Sequence, residues 1–262
     1  MKLSTAQLQQ FHQDGFLILR DFADKIACEA ILEVAKVHLK YQIEPIETEI
    51  GYDEKSKAYR TEETNYWAKE RGSVVRRLRQ VYHRDILFKG WMEDEKIRPI
   101  LEQVLEDQVV ITTSHHNSIM TKMPYKSTQT RWHQDRRYWS YSNDNLVSVW
   151  LALDDEDSQN GVLEFIAGSH KMKFESEQFD KKEYFKEDIE PNRRLIEKKV
   201  STTLQRGDVV LFHSLLLHRA NKNSTQLPKI SFVYTVKGIL TLVEEGTRSA
   251  KYPEIILERL AK

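Results

Sequence analysis

The run Thr130 to His170, TRWHQDRRYWSYSNDNLVSVWLALDDEDSQNGVLEFIAGSH, decides how this chain is read. Its working part is His133-Gln134-Asp135. Side chains two apart on extended backbone point to the same side. His133 and Asp135 therefore present an imidazole nitrogen and a carboxylate oxygen to one point, a pairing that suits a borderline divalent metal. A third ligand must come from elsewhere. His218, 85 positions after His133 in the run DVVLFHSLLLHRA (208–220), is the best candidate, and His213 in the same run is its rival. Such a gap leaves room for several strands to bring the chain back to the same pocket. Two histidines and one aspartate on one face of a metal, with the other positions open, form the ligand set of non-haem Fe(II) oxygenases.

The H-x-D pattern alone is weak, because it occurs three times. His12-Gln13-Asp14 falls on a helix, where positions two apart point roughly opposite ways. In His83-Arg84-Asp85 the carboxylate has a better use as a helix cap. Only His133/Asp135 has a strand context and a distal histidine to match.

Outward from this stretch the pattern is one of short β-type runs: 109–113, 117–122, 145–153, 161–166, 200–204, 208–212 and 230–236. Turn signals separate them at Met123-Pro124, Asn160-Gly161, Gly168-Ser169, Arg206-Gly207 and Leu227-Pro228. Many short strands without intervening helices predict a sandwich or jelly roll. His115 and His116 read as strand neighbours facing opposite ways, serving packing or hydrogen bonds behind a site. The charged segment 171–199 is too long for a simple turn, and such segments are often lids or recognition loops.

The N-terminal part reads as mostly helical. Ser4 with Gln7 forms a capping box, and Gly15 ends that helix. Phe16-Leu-Ile-Leu19 is a short strand. Asp24 opens a second helix whose buried side is expected at Ile26, Ala30, Leu32 (or Ile31), Val34 and Val37. Residues 41–72 read as long loops that border the pocket. Ser73 to Gln80 is basic, Asp85 caps a short helix near Leu87, and Trp91 to Glu106 is helical with Pro99 inside it. The end of the chain suggests an amphipathic helix carrying Tyr252, Ile255, Ile256 and Leu260.

The block W-H-Q-D…Y-W…V-W-L-A-L-D-D…N-G-V-L-E-F-I-A-G-S-H-K, followed by R-G-D-V-V-L-F-H…H, resembles the phytanoyl-CoA dioxygenase family of Fe(II)/2-oxoglutarate-dependent oxygenases. The opening L-S-T-A-Q-L…F-H-Q-D-G-F-L-I-L (3–19) is similar as well, so the likeness runs from near residue 3 to near residue 237 and thins between 35 and 107. The resemblance implies a mainly β protein with α elements, a double-stranded β-helix (jelly-roll, cupin-like) core with N-terminal helices packed around it. One domain would then fill 1–262: a helical part at 1–107, the core at 108–238 with its insert at 171–199, and a helical extension at 239–262. It further implies Fe(II), with 2-oxoglutarate and O2 as cosubstrates, and hydroxylation of a small organic substrate with release of succinate and CO2.

Carried over residue by residue, the resemblance makes His133, Asp135 and His218 the metal ligands and leaves His213 as a pocket-wall or core histidine. The family's usual arginine for the distal carboxylate lies eleven positions after the distal histidine, where this chain has Lys229. A lysine supplies the charge but not the planar two-point fit of a guanidinium. Ser231, two further on, could add a second hydrogen bond. Trp150 matches a family tryptophan beside the cosubstrate, and Asn117 and Ser118 lie on the strand that commonly contributes polar contacts to it. Tyr138, Trp139, Lys122 and His213 are the candidates for the substrate pocket. The presence of Asp135 favours hydroxylation, since a halogenase needs that ligand missing.

Composition sets the outer limits. At 262 residues with 40% hydrophobic content the chain can bury a full core. Lys+Arg and Asp+Glu both number 40, so no global field favours nucleic acid or an anionic membrane. The lone Cys28 excludes an intrachain disulfide. No run approaches a membrane span and no basic-then-apolar leader is visible, so the expected partner is a small molecule and the expected compartment the cytoplasm. Two rival functions fit the same residues: a zinc hydrolase on the same triad, and a catalytically silent barrel that only binds, with Lys229 as its symptom.

Overall fold

The computed structural model describes residues 1–49 and 74–260. Ser4 accepts a hydrogen bond from the Gln7 amide while the Gln7 side chain accepts from the Ser4 amide, which starts α1 (Thr5–Asp14). Gly15 ends it at φ 81° and leads directly into β1 (Phe16–Leu19). The Asp24 carboxylate caps α2 (Lys25–Lys40) through the Ala27 amide. The buried face of α2 is Cys28, Ile31, Leu32, Ala35 and Leu39, whereas Ile26 and Val37 are exposed. The expected stripe therefore holds at Ile31, Leu32 and Val34 and fails at Ile26 and Val37. This helix has apolar residues on more than one side, and the sheet beneath it selects which side is covered.

β2 (Ile46–Thr48) and β3 (Val75–Arg79) form where loops and a basic run were expected. The rest of the expected loop region, from residue 50 on, lies outside the described residues. The short helix expected near Leu87 is α3 (Ile86–Met92), capped by the Asp85 carboxylate through the Leu87 amide, while the helix expected over Trp91 to Glu106 starts later, as α4 (Arg98–Leu105). Between them the Asp94 side chain takes the amides of Lys96 and Ile97, and Pro99 sits in the first turn of α4 where its missing N–H costs nothing.

The strands that follow are β4 (Val109–Thr112), β5 (Ser118–Lys122), β6 (Thr130–His133), β7 (Leu146–Ala152) and β8 (Leu163–Phe165). After a short helix, α5 (Glu190–Ile196), come β9 (Val200–Ser201), β10 (Val209–His213), β11 (His218–Ala220), β12 (Lys229–Gly238) and β13 (Ile255–Ile256). One sheet runs β1-β10-β7-β12-β5-β3-β2, with β4 pairing β12 and β13; the other runs β6-β11-β8-β9. Every described pairing is antiparallel. This is the jelly-roll class the strand pattern predicted.

Period-two alternation sorts the two faces of the large sheet. Val147, Val149 and Leu151 of β7 join Val209, Leu211, Phe232 and Tyr234 in a core shared with the helices. Trp150 and Ala152 face the other way and meet Leu163, Phe165, Phe212 and Val233 between the sheets. The inward face of β12 is unusually polar, because Lys229, Ser231, Thr235 and Lys237 alternate with the apolar residues and are all buried. That polar row is where a site can be built.

Among the described residues the expected C-terminal α-helix does not form. Residues 255 and 256 add a strand to β4 instead, with Ile255 opposite Ile111 and Ile256 opposite Val110. An open strand edge offers backbone partners that two β-branched residues accept readily. No residue of the insert at 171–199 is among those that line the cavity between the sheets. Its Phe179, Phe185, Leu195 and Ile196 pack behind Trp132 and Leu217, and the Phe185 amide donates to the Trp132 carbonyl at 2.8 Å. It buttresses the strand that carries His133.

Candidate metal centre and the cavity around it

β6 ends on His133, Gln134 stays extended at φ −115° and ψ 124°, and Asp135 opens a short 3-10 turn. The extended Gln134 puts both neighbours on one side, as the spacing predicted. His218 is the first residue of β11 and is directly opposite His133 in the antiparallel register. The 85-residue gap closes into a cross-strand pair. One donor atom from each of His133, Asp135 and His218 lies within 4.8 Å of the others, and all three residues are buried. The Nε2 atoms of His133 and His218 stand 3.5 and 3.7 Å from the Asp135 carboxylate.

The local bonding fits a metal. Nδ1 of His133 is 2.8 Å from the Arg131 carbonyl and Nδ1 of His218 is 2.9 Å from the Leu216 carbonyl. A carbonyl only accepts, so each Nδ1 carries the proton and each Nε2 turns a lone pair to the centre. Asp135 Oδ2 is buried with no hydrogen-bond partner, a costly state that a cation relieves. Burial pushes His218 down to about 3, so its imidazole is neutral and able to ligate at neutral pH. Burial would raise the Asp135 carboxyl, but the imidazoles of His116, His218 and His133 outweigh it and hold Asp135 well below the usual carboxylate range. An ionised Asp with two neutral His is the donor set that a metal such as Fe(II) requires.

The triad lines one wall of a cavity between the sheets. Among the expected site residues, Trp150, Lys229, Asn117, Ser118, Tyr138, Trp139 and Lys122 also line it. Ser231 does not; it lies beneath, where its hydroxyl donates to Glu156 at 2.6 Å. His213, expected in the substrate pocket, is not among the residues that line the cavity, and its ring stands 5.3 Å from that of His170. It sits outside because alternation along β10 puts it on the face of Val209 and Leu211, opposite that of Phe212, which lines the cavity. Asn117 is mainly structural, its side chain binding the Tyr82 amide and the Thr113 carbonyl. Lys122 is directly opposite Lys229 in register, and its ammonium reaches the carbonyl of Thr128 at 2.6 Å.

Further wall residues come from the basic run at 73–80, from the C-terminal segment and from the bend after β4. Arg77 and Arg79 flank Glu47 at 3.4 and 4.0 Å on the strand pair that sequence left as loop and basic run. Arg248 arrives from the C-terminal segment. By contrast Arg136 and Arg137 turn away, to Asp144 and Glu183. His115 and His116 lie in a bend between β4 and β5, not on a strand, and both face the cavity. His116 places Nε2 3.4 Å from Asp135 Oδ1 and Nδ1 3.1 Å from the Ser148 hydroxyl. Burial pushes its pKa down to about 4, and Asp135 opposes that only in part.

A jelly roll with two histidines on paired strands of its smaller sheet, and an aspartate just past the end of one of them, defines the architecture of a non-haem metal oxygenase centre. The chain belongs to the phytanoyl-CoA dioxygenase (PhyH) family, whose pattern matches residues 11–231. Phytanoyl-CoA dioxygenase domain-containing protein 1 of Bos taurus is 22% identical over 269 residues, covering 88% of this chain and 89% of that protein. A probable alpha-ketoglutarate-dependent hypophosphite dioxygenase of Stutzerimonas stutzeri is 28% identical, but the match spans only 42% of this chain and 38% of that protein's length. Among solved structures, EctD from S. alaskensis with bound Fe superposes with a TM-score of 0.74 at 18% identity, covering 98% of this chain and 88% of that one. That likeness extends the jelly-roll fold over almost the whole chain.

Proposed function

We propose that this protein is an Fe(II)- and 2-oxoglutarate-dependent oxygenase that hydroxylates a C–H bond of a small organic substrate, releasing succinate and CO2. The observation that carries the reading is the buried triad, with two Nε2 lone pairs and the unpartnered Asp135 Oδ2 turned to one point at the wall of a cavity. Bound iron couples O2 reduction and decarboxylation of the 2-oxo acid to oxidation of the substrate. The relatives named above support the same chemistry.

The chain's own residues would do the rest. His133, Asp135 and His218 hold one face of the ion and leave the cavity side open. Trp150, Leu163, Phe212 and Val233 form the apolar part of the wall and exclude water, which keeps competing reactions out. Lys229 offers an ammonium at the end of that wall for the distal carboxylate. On the side of His116, the cations Arg77, Arg79 and Arg248 suit a substrate carrying an anionic group. Substrate positioning is where the protein's contribution to rate lies.

The test is an anaerobic titration of Fe(II)-loaded protein with 2-oxoglutarate, followed by the visible charge-transfer band of the chelate, with succinate release measured in air. A saturable band that disappears in His218→Ala is expected. Protein that binds Fe(II) and shows no band would sink the reading and return the zinc hydrolase to contention. Protein that binds no metal would leave a barrel that only binds.

A further inference from the structure

Lys229 and Ser231, expected to receive the cosubstrate's distal carboxylate, and Trp150, expected beside the cosubstrate, already converge on a carboxylate belonging to the chain. Glu156 is fully buried. Its Oε2 accepts from the Lys229 ammonium at 3.0 Å, and its Oε1 accepts from the Ser231 hydroxyl at 2.6 Å and the Trp150 indole N–H at 3.0 Å. The Lys229 ammonium also stands 4.8 Å from the centre of the Trp150 ring. Lys229 and Trp150 line the cavity, whereas Glu156 and Ser231 lie behind them. The Glu156 backbone is fixed as well, bonded both ways to Leu204 at 2.8 and 2.9 Å.

We propose that Glu156 sets the strength of the cosubstrate site: it holds Lys229 in place and takes up part of its charge, so the distal carboxylate meets one end of an ion pair. This rests on the reading that Lys229 anchors that carboxylate. The physical case has two parts. A buried lysine needs a counter-charge; Glu156 supplies it in the free protein, and in Glu156→Gln the distal carboxylate itself would take that place. An ammonium has three N–H donors, and one goes to Glu156 while the cavity face remains available to a second anion. That second anion, however, also meets the negative charge of Glu156 just behind the ammonium. In a site of low effective dielectric this repulsion is large. The lysine at this position and the glutamate behind it form one unit, and the unit is close to neutral.

The experiment measures 2-oxoglutarate affinity anaerobically by the charge-transfer band, in wild type, Glu156→Gln and Lys229→Ala, with 2-oxobutanoate as a probe that lacks the distal carboxylate. Glu156→Gln is expected to bind 2-oxoglutarate at least about tenfold more tightly, since a like charge near the anion is removed. Its affinity for 2-oxobutanoate should stay unchanged, a split that a general loss of structure cannot produce. Equal or weaker 2-oxoglutarate binding in a folded Glu156→Gln protein overturns the inference. If that variant does not fold, wild type decides alone. 2-Oxobutanoate should then bind within roughly thirtyfold of 2-oxoglutarate, and a preference of about a thousandfold overturns the proposal. A Lys229→Ala protein with unchanged 2-oxoglutarate affinity would instead remove the anchoring role itself. Weakening in Lys229→Ala with no change in Glu156→Gln overturns the role of Glu156 alone.

Discussion

Replacing His116 with Phe should weaken divalent metal binding about tenfold without unfolding the protein. Three imidazoles surround the Asp135 carboxylate, at 3.4 Å from His116, 3.5 Å from His133 and 3.7 Å from His218. Once His133 and His218 turn their Nε2 lone pairs to an ion, neither can donate a hydrogen bond to Asp135. His116 is not a member of the triad and keeps that capacity. Its Nε2 faces Oδ1, which leaves Oδ2, the oxygen with no hydrogen-bond partner, for the metal. The His116 ring is held in turn by Ser148, whose hydroxyl lies 3.2 Å from that of Thr235. Groups that orient a ligating side chain typically contribute tenfold to a hundredfold in affinity. The 3.4 Å separation is long for a hydrogen bond, which places His116 at the low end, about 1.4 kcal/mol. Phe retains the edge-on packing on Trp139, whose ring centre is 5.2 Å away, so stability should hold. Anaerobic competition against a chromophoric metal indicator, with Fe(II) and with Mn(II), gives the affinity, and a thermal melt gives the fold control. A folded His116→Phe protein that holds metal within about threefold of wild type would refute the reasoning, because the aspartate would then need no outside support.

Two further outcomes concern stability. Burial lowers His213 to about 4, with His170 adding to the effect and Asp144 opposing it; its Nδ1 accepts the Leu215 amide at 3.1 Å, a bond that protonation breaks. The unfolded chain takes up that proton near pH 6.5 and the folded one does not, so stability is complete above that pH and is lost as pH falls toward 4. Between pH 7 and 5 this group should remove about 2 kcal/mol from the free energy of unfolding, and urea melts of His213→Gln should show a correspondingly shallower pH dependence; identical slopes would refute it. Gly161 has φ 86°, and an added Cβ would stand 2.5 Å from the Asn221 carbonyl oxygen. Gly161→Ala should therefore lower the melting temperature by roughly 5 °C or more. Gly246→Ala, at φ 74° but facing open space, should cost clearly less; equal losses at the two positions would show that the crowding at Asn221 is unimportant.

The sequence by itself determined most of the strand pattern, the turns between strands and the pairing of His133 with Asp135 on one side of an extended tripeptide. These are local facts. Alternation with period two, a glycine in a turn and two ligands on one extended tripeptide are all written within a few residues. Resemblance supplied the choice of His218 over His213, and the structure gives its physical basis: β11 starts on His218 directly opposite His133, while His213 lies on the face of β10 away from the cavity, its ring against His170. What only the tertiary structure decided was everything set by a partner distant in sequence. The buried side of α2 depended on the sheet beneath it. The fate of Ile255 and Ile256 depended on the open edge of β4. Glu156 sits in an acidic run, Asp154-Asp155-Glu156-Asp157, that reads as a solvated turn, and nothing in its spacing marks the third member as buried. It becomes the counter-charge of Lys229, 73 residues away, because the sheets bring the two together in a place water does not reach. Burial of a charge is a property of the whole fold, and no short stretch of sequence carries it.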